Sequence, residues 1–502
     1  MEPIHLLVLV HGLWGEPIHM AEVARVIKEK FPAENVDETG VKLQVLVAET
    51  NSLDSTYDGF DFGGERIADE IQKTIDDTQA DGKKQVTRFS LVGYSLGGLL
   101  SRYLVGILES RHFFDTIKPI NFSTFASPHI GVIKTNFFFS RIAFMLGPKM
   151  LSRTGPQLWG QDSWSSSGQP LLEVMADPKG IFYQGLAKFE RLSLYGSAFG
   201  DRTVSYQTAL IDPEDPFYDH EKTGMIFNTE EDYPHLLASY HLPDQPLAPP
   251  PKPPVLSREY LKTTFSRARL PPIFALRFPL NLVLFALLPV LIPMGLSFAF
   301  VKVSLDSSNS RKRLRVLEKD AGFKDRLVNV MKRLDKEVEN VIVEIVEDAA
   351  EQAVEVDEAT GEPISFTVRL DDMEGKDTTT VPGKTISLHT PSLSRKNSAE
   401  KKEKSKSRSL CSSRAGSNPN LATTIKSGEE SKEENDSGKP VLSELQLRLA
   451  SSLNTLPFHK YRAYFPGVFS SHAVIISRDV QRFSFHKQGE SVLRHWADHF
   501  II

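Results

Sequence analysis

Cysteine is almost missing from this chain: Cys411 is the single one in 502 residues, too few for an internal disulfide or a cysteine-based zinc site. Its scarcity suits a reducing compartment such as the cytosol and disfavours a secreted fold held by disulfides. Excess positive charge is missing too. Lys and Arg number 59 against 64 Asp and Glu, a net charge of −5 with a pI near 6.3, so no global field is available to hold nucleic acid. Aromatic residues are absent from Thr367 to Pro457, and the middle of that stretch is rich in Ser, Lys and Glu. It is expected to be largely disordered, serving as a passive insertion or carrying phosphosites. The N-terminus has neither a basic leader nor a small-residue cleavage site, which argues against a signal peptide.

What is present is ordinary globular composition, 40% hydrophobic and 25% charged, over a length that suggests two to four units. Ile4 to Val10 reads as a buried strand. Helix-like and strand-like stretches then alternate: a helix around His19 to Lys30, a strand Lys42 to Ala48, a helix Gly63 to Thr78, a strand Val86 to Val92, a helix Leu96 to Glu109 and a strand Pro119 to Ala126. That rhythm predicts an α/β fold with a mostly parallel sheet. Residues 128–186, with Phe137, Phe138 and Phe139 in a row, read as a lid-like excursion; strands resume at Arg191 to Gly196 and Thr203 to Ala209. A first part of the core thus occupies 1–240, followed by a Pro-rich and basic linker at 241–270.

Residues 271–303 hold an apolar run between Arg277 and Lys302 without one ionisable side chain, long enough to cross a bilayer. Pro289 and Pro293 sit near its middle and basic residues flank both ends, which favours a bent hydrophobic hairpin over a single pass. The alternative is a helical hairpin buried in the core. Residues 304–366 read as an amphipathic helical region, 367–440 as the disordered segment, and 441–502 as the last part of the core, with a helix at Val441 to Leu456 and a strand at Ala473 to Ile476.

Gly93-Tyr94-Ser95-Leu96-Gly97 sits between an apolar strand and a helix, the setting that a G-x-S-x-G nucleophile elbow requires. Gly93 and Gly97 leave room for the tight turn, and Leu96 N–H would lie at a helix N-terminus, where a negative oxygen is stabilised. His11-Gly12-Leu13-Trp14-Gly15 follows the first strand, where an α/β-hydrolase supplies its second oxyanion donor. Gly12 allows close backbone approach, Leu13 N–H is the expected donor and Trp14 the alternative. His11 is expected to order that loop by hydrogen bonds.

A serine hydroxyl needs a histidine to take its proton and a carboxylate to orient that histidine, in the chain order Ser, acid, His. Asp201, in a glycine-containing loop after a strand, is the expected acid, with a turn-capping role as the alternative and Asp212, Asp215 and Asp219 as competitors. His472, near the end of the chain in S-S-H-A-V-I-I, is the expected base among His220, His235, His241, His472, His495 and His499, with His241 the main rival. Glu65, placed near a helix start, is expected to favour the helix dipole.

The set H-G-L-W-G, T-Y-D-G-F-D-F-G-G-E-R, L-V-G-Y-S-L-G-G-L-L-S-R-Y, F-A-S-P-H-I-G-V, G-D-R-T-V and S-H-A-V-I-I resembles the serine esterase family of lipase-like α/β-hydrolases. The apolar segment and late histidine resemble its fungal lipid-droplet phospholipase group. The resemblance implies Ser95 as nucleophile, Asp201 and His472 as its partners, acyl-ester hydrolysis on lipids including glycerophospholipids, and no metal or organic cofactor. It points to the cytosolic face of a lipid droplet or of the endoplasmic reticulum membrane. Because Ser95 and Asp201 precede the apolar segment and His472 follows it, one complete crossing would separate partners that must touch. Within enzymes, the alternatives are an acylglycerol lipase and a protein or thioester deacylase; outside them, a membrane tether with a quiet hydrolase fold.

Overall fold

The computed structural model describes residues 1–32, 40–134, 145–165, 168–243, 280–317, 319 and 440–502. These belong to one compact unit, Met1–Glu339 with Gly438–Ile502; the second unit, Asn340–Ser437, lies outside the described residues. So do the Phe137–Phe139 run, most of the expected linker, the greater part of the expected amphipathic region and residues 367–439 of the aromatic-free stretch.

The chain runs β1 (Glu2–Val10), α1 (Ala21–Lys30), β2 (Lys42–Val47), α2 (Phe60–Gln79), β3 (Lys84–Tyr94), α3 (Leu96–Ser110) and β4 (Lys118–Phe125). After the excursion come β5 (Arg191–Ser197) and an outer antiparallel pair, β6 (Ile226–Thr229) and β7 (Leu237–His241). A long helix, α4 (Leu280–Leu317), then α5 (Glu444–Leu453), β8 (Phe458–Ala463) and α6 (Glu490–Asp498) complete it. The main sheet has the order β2-β1-β3-β4-β5-β8, and every neighbouring pair is parallel.

Alternation along β1 explains the layering. Leu6 and Val8 join the core shared with α2 and α3, while Leu7 and Leu9 join a second core with α1 and α6. Both faces are covered by helices, as a parallel sheet demands. With a serine elbow between β3 and α3, this is an α/β-hydrolase fold. Among its described residues the excursion is helical at 145–150 and carries the short helices Thr154–Leu158, Leu171–Val174 and Ile181–Ala187. It is tied to α2 through Asp61, fully buried, which accepts hydrogen bonds from Arg153, Gln157 and Trp164.

Four expectations need correction. Thr203 to Ala209 is a turn and a short helix, Tyr206–Ala209, because Asp201 Oδ1 accepts from the Thr203 and Val204 N–H groups and turns the chain. Ala473 to Ile476 is a run of turns, its N–H groups bonded to nearby carbonyls such as Ser471 and its buried side chains packed in the second core. Glu65 lies within α2 and pairs with Arg111 at 2.6 Å, so it is an ion-pair partner and not a dipole-favouring residue at the helix start.

The fourth is the hairpin. α4 passes through Pro289 and Pro293 without a turn. Each proline removes one N–H donor, but the donor lost at Pro293 would have bonded the Pro289 carbonyl, so both defects share one face and the other ladders continue. Nor is this helix buried in the core: none of its most apolar 18-residue window is covered, and Leu296, Phe298 and Phe300 are exposed. Only its C-terminal end docks, where Leu314 packs on Phe62.

Candidate active site

β3 ends at Tyr94, and Ser95 turns the chain into α3 with φ +55° and ψ −126°, a strained backbone for a residue with a side chain. Packing accounts for the neighbouring glycines. A Cβ on Gly93 would lie 2.5 Å from Gly98 Cα, and one on Gly97 would lie 2.3 Å from the Val10 carbonyl oxygen. On the opposing loop a Cβ on Gly12 would lie 2.7 Å from Ser95 Cβ, so the loop after β1 runs directly against the serine.

Asp201 follows β5 and His472 follows β8, and β5 and β8 pair in register from Leu192↔Phe458 to Ser197↔Ala463. That pairing sets the two loops side by side, and Ser471 N–H donates to the Gly200 carbonyl at 3.1 Å. His472 Nδ1 lies 2.9 Å from Asp201 Oδ2, and His472 Nε2 lies 3.0 Å from Ser95 Oγ. A carboxylate only accepts, so Nδ1–H donates to Asp201 and Nε2 is left to accept from the serine. The aspartate side chain is 2% exposed and the histidine 12%. Such a chain can move a proton from hydroxyl to imidazole and hold the resulting cation.

The Leu13 N–H makes no hydrogen bond within the described residues. Leu96, the first residue of α3, has no intrahelical acceptor for its own N–H. The alternative donor is engaged elsewhere, since Trp14 N–H donates to Thr56 Oγ1 at 3.2 Å. His11 bonds the Gly12 carbonyl through Nδ1 at 3.1 Å and Ser52 Oγ through Nε2 at 3.2 Å. Burial holds its imidazole below the ordinary pKa.

The rival candidates lie apart from Ser95. His241 is exposed at the end of β7, His220 stacks on Phe199, and His495 Nδ1 meets the Tyr195 hydroxyl. Asp212 accepts from the Tyr206 hydroxyl, Asp215 from Phe217 N–H, and Asp219 pairs with Lys222. One neighbour of the site was not foreseen. The Tyr94 hydroxyl donates to the His472 carbonyl at 3.0 Å, and its ring lies 5.2 Å from the imidazole. Its place inside the elbow motif was the available signal. Among the described residues no cluster of three or more His, Cys, Asp or Glu converges as for a metal ion.

Fold and site together define an α/β-hydrolase with a Ser-His-Asp constellation at its elbow. Residues 1–213 match the family described as Putative serine esterase (DUF676). The resemblance read from the motifs is therefore found over the part of the chain that holds Ser95 and Asp201. Two similar curated proteins are from Saccharomyces cerevisiae. Putative lipase ROG1 is 28% identical over 213 residues, covering 41% of this chain and 28% of that protein. Putative lipase YDL109C is 27% identical over 210 residues, covering 41% and 30%. The match thus spans less than a third of either relative. Among solved structures, phospholipase PlaB from Legionella pneumophila in complex with thio-NAD is 13% identical with a TM-score of 0.23, over 40% of this chain and 39% of that one. An extracellular alpha/beta-hydrolase from Paenibacillus species is 16% identical with a TM-score of 0.23, over 40% and 81%. The fold assignment rests on sheet order and elbow, not on these overlaps.

Proposed function

We propose that the protein is a serine acyl-ester hydrolase that releases fatty acids from glycerophospholipids at a lipid surface. The hydrogen-bond chain Asp201–His472–Ser95, set on a strained elbow, is the observation that carries this reading. Ser95 Oγ attacks the ester carbonyl carbon while its proton passes to His472 Nε2, and the carbonyl electrons collect on an oxygen held by the Leu13 and Leu96 N–H groups. The intermediate collapses, the alcohol leaves with the proton from His472, and water repeats the cycle on the acyl-serine. Asp201 keeps Nδ1 protonated and stabilises the imidazolium. No step calls for a metal or an organic cofactor.

The exposed apolar length of α4 supports a lipid surface as partner. The docking of the C-terminal end of α4 on the unit that also holds Leu237–His241 and His472 supports a lipid contact on the side where catalysis would occur. A lipid-droplet monolayer or the cytosolic leaflet of the endoplasmic reticulum fits, because neither requires an aqueous far side.

Fatty-acid release from phospholipid and triacylglycerol emulsions by wild type, Ser95→Ala and His472→Ala tests the proposal. Release from phospholipid that both substitutions abolish is the expected result. Faster release from triacylglycerol would reassign the substrate class to acylglycerols, and release that survives Ser95→Ala would overturn the mechanism.

A further inference from the structure

The T-Y-D-G segment, whose role the sequence leaves open, lies between the docked end of α4 and the oxyanion loop. Leu53–Tyr57 forms a short 3-10 turn. On one side it holds the loop after β1 by three hydrogen bonds. Leu53 N–H donates to the Gly15 carbonyl at 2.9 Å, Trp14 N–H to Thr56 Oγ1 at 3.2 Å, and the Trp14 indole N–H to the Tyr57 hydroxyl at 2.6 Å. Trp14 and Leu53 both have left-handed backbones, φ +54° and +51°, conformations that persist only where neighbours hold them.

On its other side the turn is gripped by the last three turns of α4. Arg313 Nη1 donates to Asp54 Oδ2 at 2.6 Å, and Nη2 donates to the Asp54 carbonyl at 2.8 Å and to Asp58 Oδ1 at 3.0 Å. Ser310 Oγ donates to the same Asp58 oxygen at 2.6 Å. Asp58 is fully buried and also takes Arg66 Nη1 at 2.7 Å, so it is a fixed point and not a surface ion pair. The chain of contacts runs from an exposed apolar helix, through one guanidinium and one short turn, to the strand end that abuts Ser95.

We propose that Arg313 is a positioning residue for the oxyanion loop, so that placement of the Leu13 N–H depends on the seating of α4. This rests on the reading above, in which Leu13 and Leu96 hold the oxyanion. Seating of the apolar helix at a lipid surface then acts on the rate of the acyl-transfer step and not only on substrate access. The effect belongs in kcat, because a displaced donor weakens the transition state more than the ground-state ester.

The test uses the full chain and a soluble short-chain p-nitrophenyl ester, which removes lipid adsorption from the measurement. Arg313→Ala is expected to lower kcat about 10- to 100-fold, the scale of a misplaced catalytic group, with KM within about twofold. Affinity for an alkyl trifluoromethyl ketone, whose serine adduct places an oxyanion in the same hole, falls by the same factor, and Arg313→Lys recovers part of both. Asp54→Asn, at a side chain 38% exposed, shifts both in the same direction by less and supplies the answer should Arg313→Ala not fold. A folded Arg313→Ala, or in its place Asp54→Asn, with kcat and ketone affinity unchanged within twofold overturns the proposal, as does a kcat loss that ketone affinity does not follow. Ser95→Ala on the same ester separates the failures: if hydrolysis survives it, the underlying mechanism is wrong.

Discussion

The two carboxylate oxygens of Asp201 face different partners. Oδ1 accepts from Thr203 and Val204 N–H at 2.8 and 2.9 Å, and Oδ2 accepts from His472 Nδ1 at 2.9 Å. Asp201 therefore makes both the turn-capping contacts and the contact to the histidine, and the first set aims the second. Asp201→Asn separates them. The amide oxygen can keep the turn, but an amide nitrogen facing Nδ1 would favour the tautomer with its proton on Nε2, which cannot accept from Ser95. We expect kcat to fall roughly 10³- to 10⁴-fold with the thermal midpoint within a few degrees of wild type, measured by ester hydrolysis and calorimetry. The serine, acid and histidine were legible because G-x-S-x-G, G-D-R-T-V and S-H-A are short local patterns. Thr56 was not, since a hydroxyl that bonds an amide distant in sequence leaves no spacing to read, and Tyr94 was signalled only by its place inside the elbow motif.

At the scale of elements, β1 to β5 and α1 to α3 were readable from apolar periodicity, their ends shifting by only a few residues. β8 escaped because F-H-K-Y-R-A carries three basic side chains, as an edge strand tolerates, and the buried V-I-I after His472 drew the strand expectation to itself. α4 shows the limit of proline as a helix breaker: two prolines four residues apart interrupt one ladder and leave the helix continuous. Its apolar face makes a separate prediction. Phe298 and Phe300, 72% and 55% exposed, touch no core, so Phe298→Asp with Phe300→Asp leaves folding and soluble-ester hydrolysis near wild type. Partition onto phosphatidylcholine vesicles should drop at least tenfold in a flotation assay, since charge in hydrocarbon is costly. Unchanged flotation would remove α4 from the lipid contact.

For the whole molecule, the central fact is that Asp201 and His472, 271 residues apart in sequence, meet through one strand pairing, β5 with β8. The unit is built from two stretches, Met1–Glu339 and Gly438–Ile502, with β8 and α6 burying core from the second. A specific protease site inserted between residues 340 and 437 should therefore be cleavable without loss of activity, the two fragments eluting together on size exclusion. Fragments that separate would show that continuity through the second unit holds the site together. Whether Ser95 is an activated nucleophile is read out by a fluorophosphonate probe with mass spectrometry of the modified peptide. One adduct is expected, on Ser95, formed quickly in wild type and at least about 10³-fold more slowly in His472→Ala. A folded wild-type protein that takes no label on Ser95, or takes it equally fast without His472, would contradict that activation.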